Sequence, residues 1–273
     1  MPRPPRVVLI TGCSSGFGRA LAEALHQRGD RVYATLRTPL PAAAGDSPRY
    51  LRMDVTDDAA VAEGVATILR EEGRIDALVN NAGFGISGAI EDTTVDEVRM
   101  QLDTNLLGTH RLVRAVLPAM RSQRSGRIIN MSSLGGIVSV PFQAFYCVSK
   151  FGIEAYTEAL RMEVRSFGIH VSLIEPGDFA TNGTANRKWA AAAGAGSAYE
   201  TQCRTAVGRM IVDEQSNKDI TPVVRALLRT LDAAKPRLRY PVATPIQRLL
   251  VGLRPLLPQP WFEALIMDNY KIR

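Results

Sequence analysis

Short runs of consecutive apolar residues alternate with longer stretches whose apolar positions recur every three or four residues. The first kind predicts buried parallel strands and the second predicts amphipathic helices. Residues 6–11 form the first run, rich in β-branched side chains, and residues 19–28 the first helix, closed by Gly29. Further strands are predicted over 31–36, 49–55, 74–79, 127–131, 169–174 and 237–241. Helices are predicted over 57–72, 95–114, around 146–150, and over 219–231. A Pro/Ala/Gly loop fills 39–48. Strands alternating with helices imply an α/β fold, a doubly wound parallel sheet with right-handed crossovers. Residues 1–243 read as one domain. Residues 244–273 mix proline with apolar residues and arginine, and read as a helical extension packed on it, with short helices over 247–253 and near 260–267.

The turn after the first strand carries Gly12, Ser14, Ser15, Gly16, Phe17 and Gly18. Glycines between a strand and a helix let the backbone turn tightly and approach a pyrophosphate at the helix N-terminus, although an ordinary strand–helix turn has use for them too. This is the Rossmann-type arrangement for a dinucleotide. An acid at the end of the second strand would accept from the ribose 2′-OH of NAD(H). Leu36 and Arg37 stand there instead. A guanidinium matches a 2′-phosphate, so NADP(H) is favoured over NAD(H), unless Arg37 is simply a solvated cation.

Tyr146 and Lys150 are one helical turn apart, on one face. A cation beside a phenol favours the phenolate, so the pair is expected to work as a general acid or base near neutral pH. Ser133 follows the strand over 127–131 and is positioned to hold the substrate oxygen. A single Tyr-x-x-x-Lys is weak evidence, and the glycine turn upstream is what strengthens it.

Composition removes several alternatives. The net charge of +6 comes from scattered arginines, and aromatic residues make up 6% of the chain, so no nucleic-acid partner is expected. Three cysteines without a C-x-x-C pair and three histidines without ligand spacing argue against a disulfide framework or a metal. No signal-peptide pattern and no transmembrane run appears, which makes a cytoplasmic setting the expectation.

Taken in order, Thr11-Gly12-x-x-x-Gly16-x-Gly18, Asp54, Asn80-Asn81-Ala82-Gly83, Asn105, Ser133, Tyr146-x-x-x-Lys150 and Pro176-Gly177 resemble the short-chain dehydrogenase/reductase family. The flanking residues, among them Pro141, Phe142 and Cys147, are similar to its hydroxysteroid and retinol dehydrogenase branch. The resemblance implies roles. Asp54 would hold the adenine amino group and the Val55 backbone its ring. Asn80, Asn81, Ala82 and Gly83 would stabilise the sheet edge beside the cofactor ribose. Asn105 would hold a water linking Lys150 to solvent. Ser133 would orient the carbonyl or alcohol, Tyr146 would exchange its proton, and Lys150 would also grip the nicotinamide ribose. Pro176 and Gly177, after the strand over 169–174, belong to the cofactor site, and Thr181 would contact the carboxamide unless it caps the following helix. The segment of about 182–218 would be a substrate lid, with a small and mobile stretch from Trp189 to Ala198. Hydride transfer to or from a hydrophobic, steroid-like or retinoid-like carbonyl or alcohol follows, in a homodimer or homotetramer. Reduction of small keto or acyl-carrier substrates, or a non-catalytic NADP-binding regulatory role, are the alternatives.

Overall fold

The computed structural model describes residues 4–38, 47–180 and 187–272. Thr181 and the first lid residues, 182–186, lie outside the described residues. The N-terminal half runs β1 (Val7–Ile10), α1 (Gly16–Gln27), β2 (Arg31–Leu36), β3 (Arg49–Arg52), α2 (Asp58–Glu72) and β4 (Ala77–Asn80). A two-residue strand β5 (Ile86–Ser87) precedes α3 (Val95–Leu102), α4 (Gly108–Gln123), β6 (Gly126–Met131), α5 (Ala144–Glu163) and β7 (Ile169–Pro176). The remainder is β8 (Lys188–Trp189), α6 (Glu200–Ser216), α7 (Thr221–Asp232), β9 (Arg239–Val242), α8 (Pro245–Leu253) and α9 (Gln259–Asn269).

Seven strands form one parallel sheet in the order β3-β2-β1-β4-β6-β7-β9. Chain order reverses between β1 and β4. In open α/β sheets that is where a crevice opens beyond the carboxyl ends of the strands. Side chains alternate across the sheet, so each strand feeds two cores. Val7 and Leu9 join one core with Val65 and Ile68 of α2, Leu112 and Val116 of α4 and Leu160 of α5. Val8 and Ile10 join the other with Leu21 and Leu25 of α1 and Val223 and Leu227 of α7. Burial on both faces explains why the strands read as unbroken apolar runs.

Two elements depart from the sequence pattern. The helix expected over 95–114 is α3 and α4 joined by a π-helical turn, Asp103–Leu107. A wider turn inserts one residue into the helical path, and such turns concentrate at functional sites. Here it buries Asn105 at 2% exposure. The stretch expected to be mobile is instead seated: β8 pairs with β5, Lys188 N–H donates to Gly85 O at 3.1 Å, and Ala190 N–H donates to Ser87 O at 2.9 Å. Ala190 and Ala193 are buried there. A Cβ on Gly88 would lie 2.7 Å from the Ala190 Cβ, so the small residues permit the close approach.

Candidate active site

The loop between β1 and α1 is held from behind. Asn81 Nδ2 donates to the carbonyls of Thr11 at 2.9 Å and Gly12 at 3.1 Å, and Thr11 Oγ1 accepts from the N–H groups of Asn81 and Ala82, both at 3.0 Å. Gly12 and Gly16 have φ of 71° and 58°, the left-handed region that suits glycine. A Cβ on Gly18 would sit 2.3 Å from Gly12 O, so only glycine lets α1 start this close to the strand. Ser15 stands at the N-cap of α1 without a side-chain bond to the first turn, and no acidic residue lies in that turn. Its unpaired N–H groups and dipole are therefore available to an anion. Phe17 meets Phe179 edge-on, ring centroids 5.7 Å apart, which ties this loop to the segment after Pro176-Gly177.

Asp54 Oδ1 accepts from Thr56 N at 2.9 Å and Thr56 Oγ1 at 2.8 Å. Burial alone would raise its pKa, but the Thr56 bonds and the charges of Arg37 and Arg111 hold it below the ordinary carboxylate value. Arg37 is exposed at the end of β2, near enough to act on Asp54. Val55 packs against Gly108, where a Cβ would meet the Val55 side chain at 2.8 Å. Uncapped helix, glycine cradle, Asp54 and Arg37 together make a donor and acceptor set that fits a nicotinamide dinucleotide.

Ser133, just past the end of β6, faces Tyr146 and Lys150 in the first two turns of α5. Ser133 Oγ accepts from Gly135 N at 3.1 Å, which leaves its hydroxyl proton to donate. The Tyr146 ring lies between Gly85 and Gly135, whose added Cβ atoms would be 3.6 Å and 3.2 Å from it. Lys150 Nζ donates to Met131 O at 2.7 Å and lies 5.8 Å from the centroid of the Tyr146 ring. Two of its three N–H groups remain for a ligand. The expected lowering of the Tyr146 pKa is not found. Burial pushes the phenol up to about 12, a hydrogen bond with Ser133 pulls it back, and the Lys150 ammonium is not among the leading influences. Burial also brings Lys150 down to about 8, against the attraction of Glu154.

Asn105 is committed to the protein. Its Nδ2 donates to Phe84 O at 2.9 Å and to Ser149 Oγ at 3.0 Å, and its Oδ1 accepts from Phe84 N at 3.0 Å. It fixes the loop after Asn81-Ala82-Gly83 against α5, and a Cβ on Gly83 would lie 3.1 Å from its Oδ1. Asn80 does similar work below: Asn80 Nδ2 donates to Asn130 Oδ1, and Asn130 Nδ2 to Thr157 Oγ1, both at 2.8 Å. Gly177 N–H donates to Val242 O at 2.9 Å, ending β7 against β9.

The comparisons with known proteins agree with this geometry. Residues 6–191 match the family model described as short chain dehydrogenase. The chain belongs to the short-chain dehydrogenase family. The relatives that it matches carry the names of reductases and dehydrogenases. The chain is 38% identical to the 3-ketodihydrosphingosine reductase of Bacteroides thetaiotaomicron, over 98% of this chain and 99% of the relative. It is 44% identical to 17-beta-hydroxysteroid dehydrogenase type 1 of Mus musculus, over 63% of this chain and 54% of the relative. It is 40% identical to retinol dehydrogenase 8 of Homo sapiens, over 66% and 61%. A short-chain dehydrogenase from Streptomyces avermitilis superposes with a TM-score of 0.81 at 33% identity, over 98% of this chain and 97% of that one.

Sequence reasoning missed a charged pair near the phenol. Arg187 Nη2 meets Glu214 Oε1 at 2.5 Å, and the two charges act on Tyr146 in opposite senses. The Arg187 side chain is 10% exposed, and its Nη1 is buried with no hydrogen-bond partner among the described residues. No spacing rule links Arg187, just before β8, with Glu214, near the end of α6. A cavity of about 990 Å³ lies on another face of α5, lined by Val140, Phe142, Cys147, Val148, Phe151 and Arg254 among others. Neither Ser133 nor Tyr146 is among the residues that line it. Among the described residues no helix is long and apolar enough to cross a membrane, and no acidic, Cys or His cluster could hold a metal ion.

Proposed function

We propose that this protein is an NADP(H)-dependent reductase of a carbonyl on a long hydrophobic substrate, with Tyr146 as the proton donor. The convergence of Ser133, Tyr146 and Lys150 beside the uncapped start of α1 carries the reading. When bound, the nicotinamide supplies the hydride. The protein contributes geometry and charge. Ser133 donates to the carbonyl oxygen, Tyr146 O–H protonates it as negative charge develops, and the Lys150 ammonium stabilises the phenolate left behind. Lys150 has two N–H groups for the nicotinamide ribose, Asp54 accepts from the adenine, and Arg37 pairs with a 2′-phosphate. Ser14, Gly16, Pro176 and Gly177 border the dinucleotide, and Thr181 belongs to the same proposal.

The substrate class follows from which part of the chain each relative matches. The steroid and retinol enzymes align with about two thirds of this chain, whereas the 3-ketodihydrosphingosine reductase aligns with almost all of it, including the C-terminal third. That third shapes the pocket in this fold. A ketone flanked by an amine and a hydroxyl offers polar groups to Glu214 and Arg187, and Val140, Phe142, Met210 and Ile272 supply apolar surface. A steroid or retinoid carbonyl is the second reading, favoured by the higher identity over those shorter matches. Exposed Leu107, Val148 and Met162 on the turn before α4 and on α5 support pairing of subunits through that face. Three buried free cysteines suit a reducing, cytoplasmic setting.

The test is NADPH oxidation across 3-keto sphingoid bases, steroid ketones, retinal and small ketones, with Tyr146→Phe as control. Turnover is expected with the long-chain ketones and is expected to fall by about three orders of magnitude in Tyr146→Phe, with cofactor binding retained. Near-normal turnover in that variant would sink the assignment of Tyr146.

A further inference from the structure

Behind Lys150 lies a second ionisable group of residues that the reaction above does not use. Glu154 is one helical turn further along α5 and 5% exposed; Glu175, on β7, is 1% exposed. Arg239, on β9, reaches both: its Nη1 contacts Glu154 Oε2 and lies 2.7 Å from Glu175 Oε1, while Nη2 lies 2.6 Å from Glu158 Oε1. Ser132 closes the group from the end of β6. A Cβ on Gly136 would sit 2.7 Å from Ser132 Oγ, 3.1 Å from Glu154 Cγ and 3.1 Å from the Lys150 carbonyl carbon, so three elements converge on one glycine. Ser132 Oγ and Glu154 Oε1 are both buried, and the Ser132 hydroxyl acts on the Glu154 carboxyl to lower its pKa against burial. Apart from Glu158 at the surface, no further charged group is bonded to this cluster by the contacts above.

Two carboxylates this deep beside one arginine are costly unless something needs their charge. The nearby cation is Lys150, whose own hydrogen bond goes to a neutral carbonyl, Met131 O. We propose that Glu154 is a positioning residue that keeps Lys150 an ammonium beneath Tyr146, while Arg239 holds Glu154 and Glu175 in place. The electrostatics agree: burial drags the Lys150 pKa down to about 8, and the Glu154 charge opposes the fall. Burial raises both carboxyls, Glu175 to about 7 with Glu154 adding to its rise, and Arg239 opposes the rise in each.

The proposal rests on Tyr146 and Lys150 being catalytic, and the experiment separates the two ideas. Lysine ε-carbon NMR titration of the ligand-free protein, assigned with Lys150→Arg, gives the Lys150 midpoint directly. The alkaline limb of kcat/KM gives its consequence. Glu154→Gln is expected to move both down by about one pH unit. Glu154→Asp, which keeps the charge, is expected to recover most of the shift. Glu154→Met serves if the glutamine variant fails to fold. An unchanged midpoint and limb overturn the proposal, even where kcat falls evenly at every pH. If Tyr146→Phe still turns over, the catalytic reading fails, and the NMR midpoint alone decides whether Glu154 sustains the Lys150 charge.

Discussion

At Gly18 one added methyl group would lie 2.3 Å from a backbone oxygen, whereas helix α8 has no buried residue at all. The first region must bring backbone close to a pyrophosphate, and only glycine allows the approach. The second is held by few contacts. Gln247 Nε2 bonds Asp178, Arg254 sits over the Phe151 ring, and Phe262 is the one buried residue of α9. Constraint on the backbone restricts residue type position by position. Loose packing of side chains leaves many sequences equivalent. A ligand common to the family can therefore be read from its glycines, while a ligand particular to one enzyme is recognised by a surface that leaves no such trace.

The largest test of this contrast is Gly18→Val. The side chain cannot be accommodated without moving the Gly12 carbonyl. Cofactor affinity, measured by fluorescence titration with NADPH, is expected to fall at least about 100-fold, a loss of roughly 3 kcal/mol. The same measurement on Arg37→Ala should show a smaller and selective effect. NADPH binding is expected to weaken about tenfold while NADH binding stays within about twofold, because only the 2′-phosphate is lost as a partner. Equal weakening of both would mean that Arg37 acts on Asp54 and not on the phosphate.

The same contrast explains what the sequence conveyed and what it withheld. The seven main strands and most helices were legible because apolar runs and three-to-four periodicity report burial directly. Gly12, Gly16, Gly18, Ser133, Tyr146 and Lys150 were legible because each is tied to a local motif. The π turn at Asn105 was not, since its cause is a side chain reaching Phe84 and Ser149 from a helix that otherwise keeps its period. β5 and β8 were too short to show alternation. Glu154, Glu175 and Arg239 meet only because the sheet order sets β7 between β6 and β9, a tertiary fact invisible in local patterns. The direction of the Tyr146 pKa was misread for the same reason. The spacing to Lys150 was visible, but burial, which outweighs it, was not.

In the C-terminal helices the expected effects on stability run from one large loss down to changes that are barely measurable. Trp261 is 68% exposed and Phe262 6% exposed, adjacent residues at the start of α9. Phe262→Ala removes a filled contact and should cost about 3 kcal/mol, while Trp261→Ser should change stability by less than about 0.5 kcal/mol. Arg254→Ala removes only the stacking of its guanidinium on Phe151, centroid distance 5.4 Å. An exposed cation–π contact contributes about 0.5 kcal/mol, which corresponds to about 1–2 °C in Tm for a chain of this size. Thermal melts of the three variants check the order. If Arg254→Ala lowered Tm as far as Phe262→Ala does, the C-terminal helices would be a constrained part of the fold, and the substrate region could no longer be treated as free to vary around a fixed cofactor site.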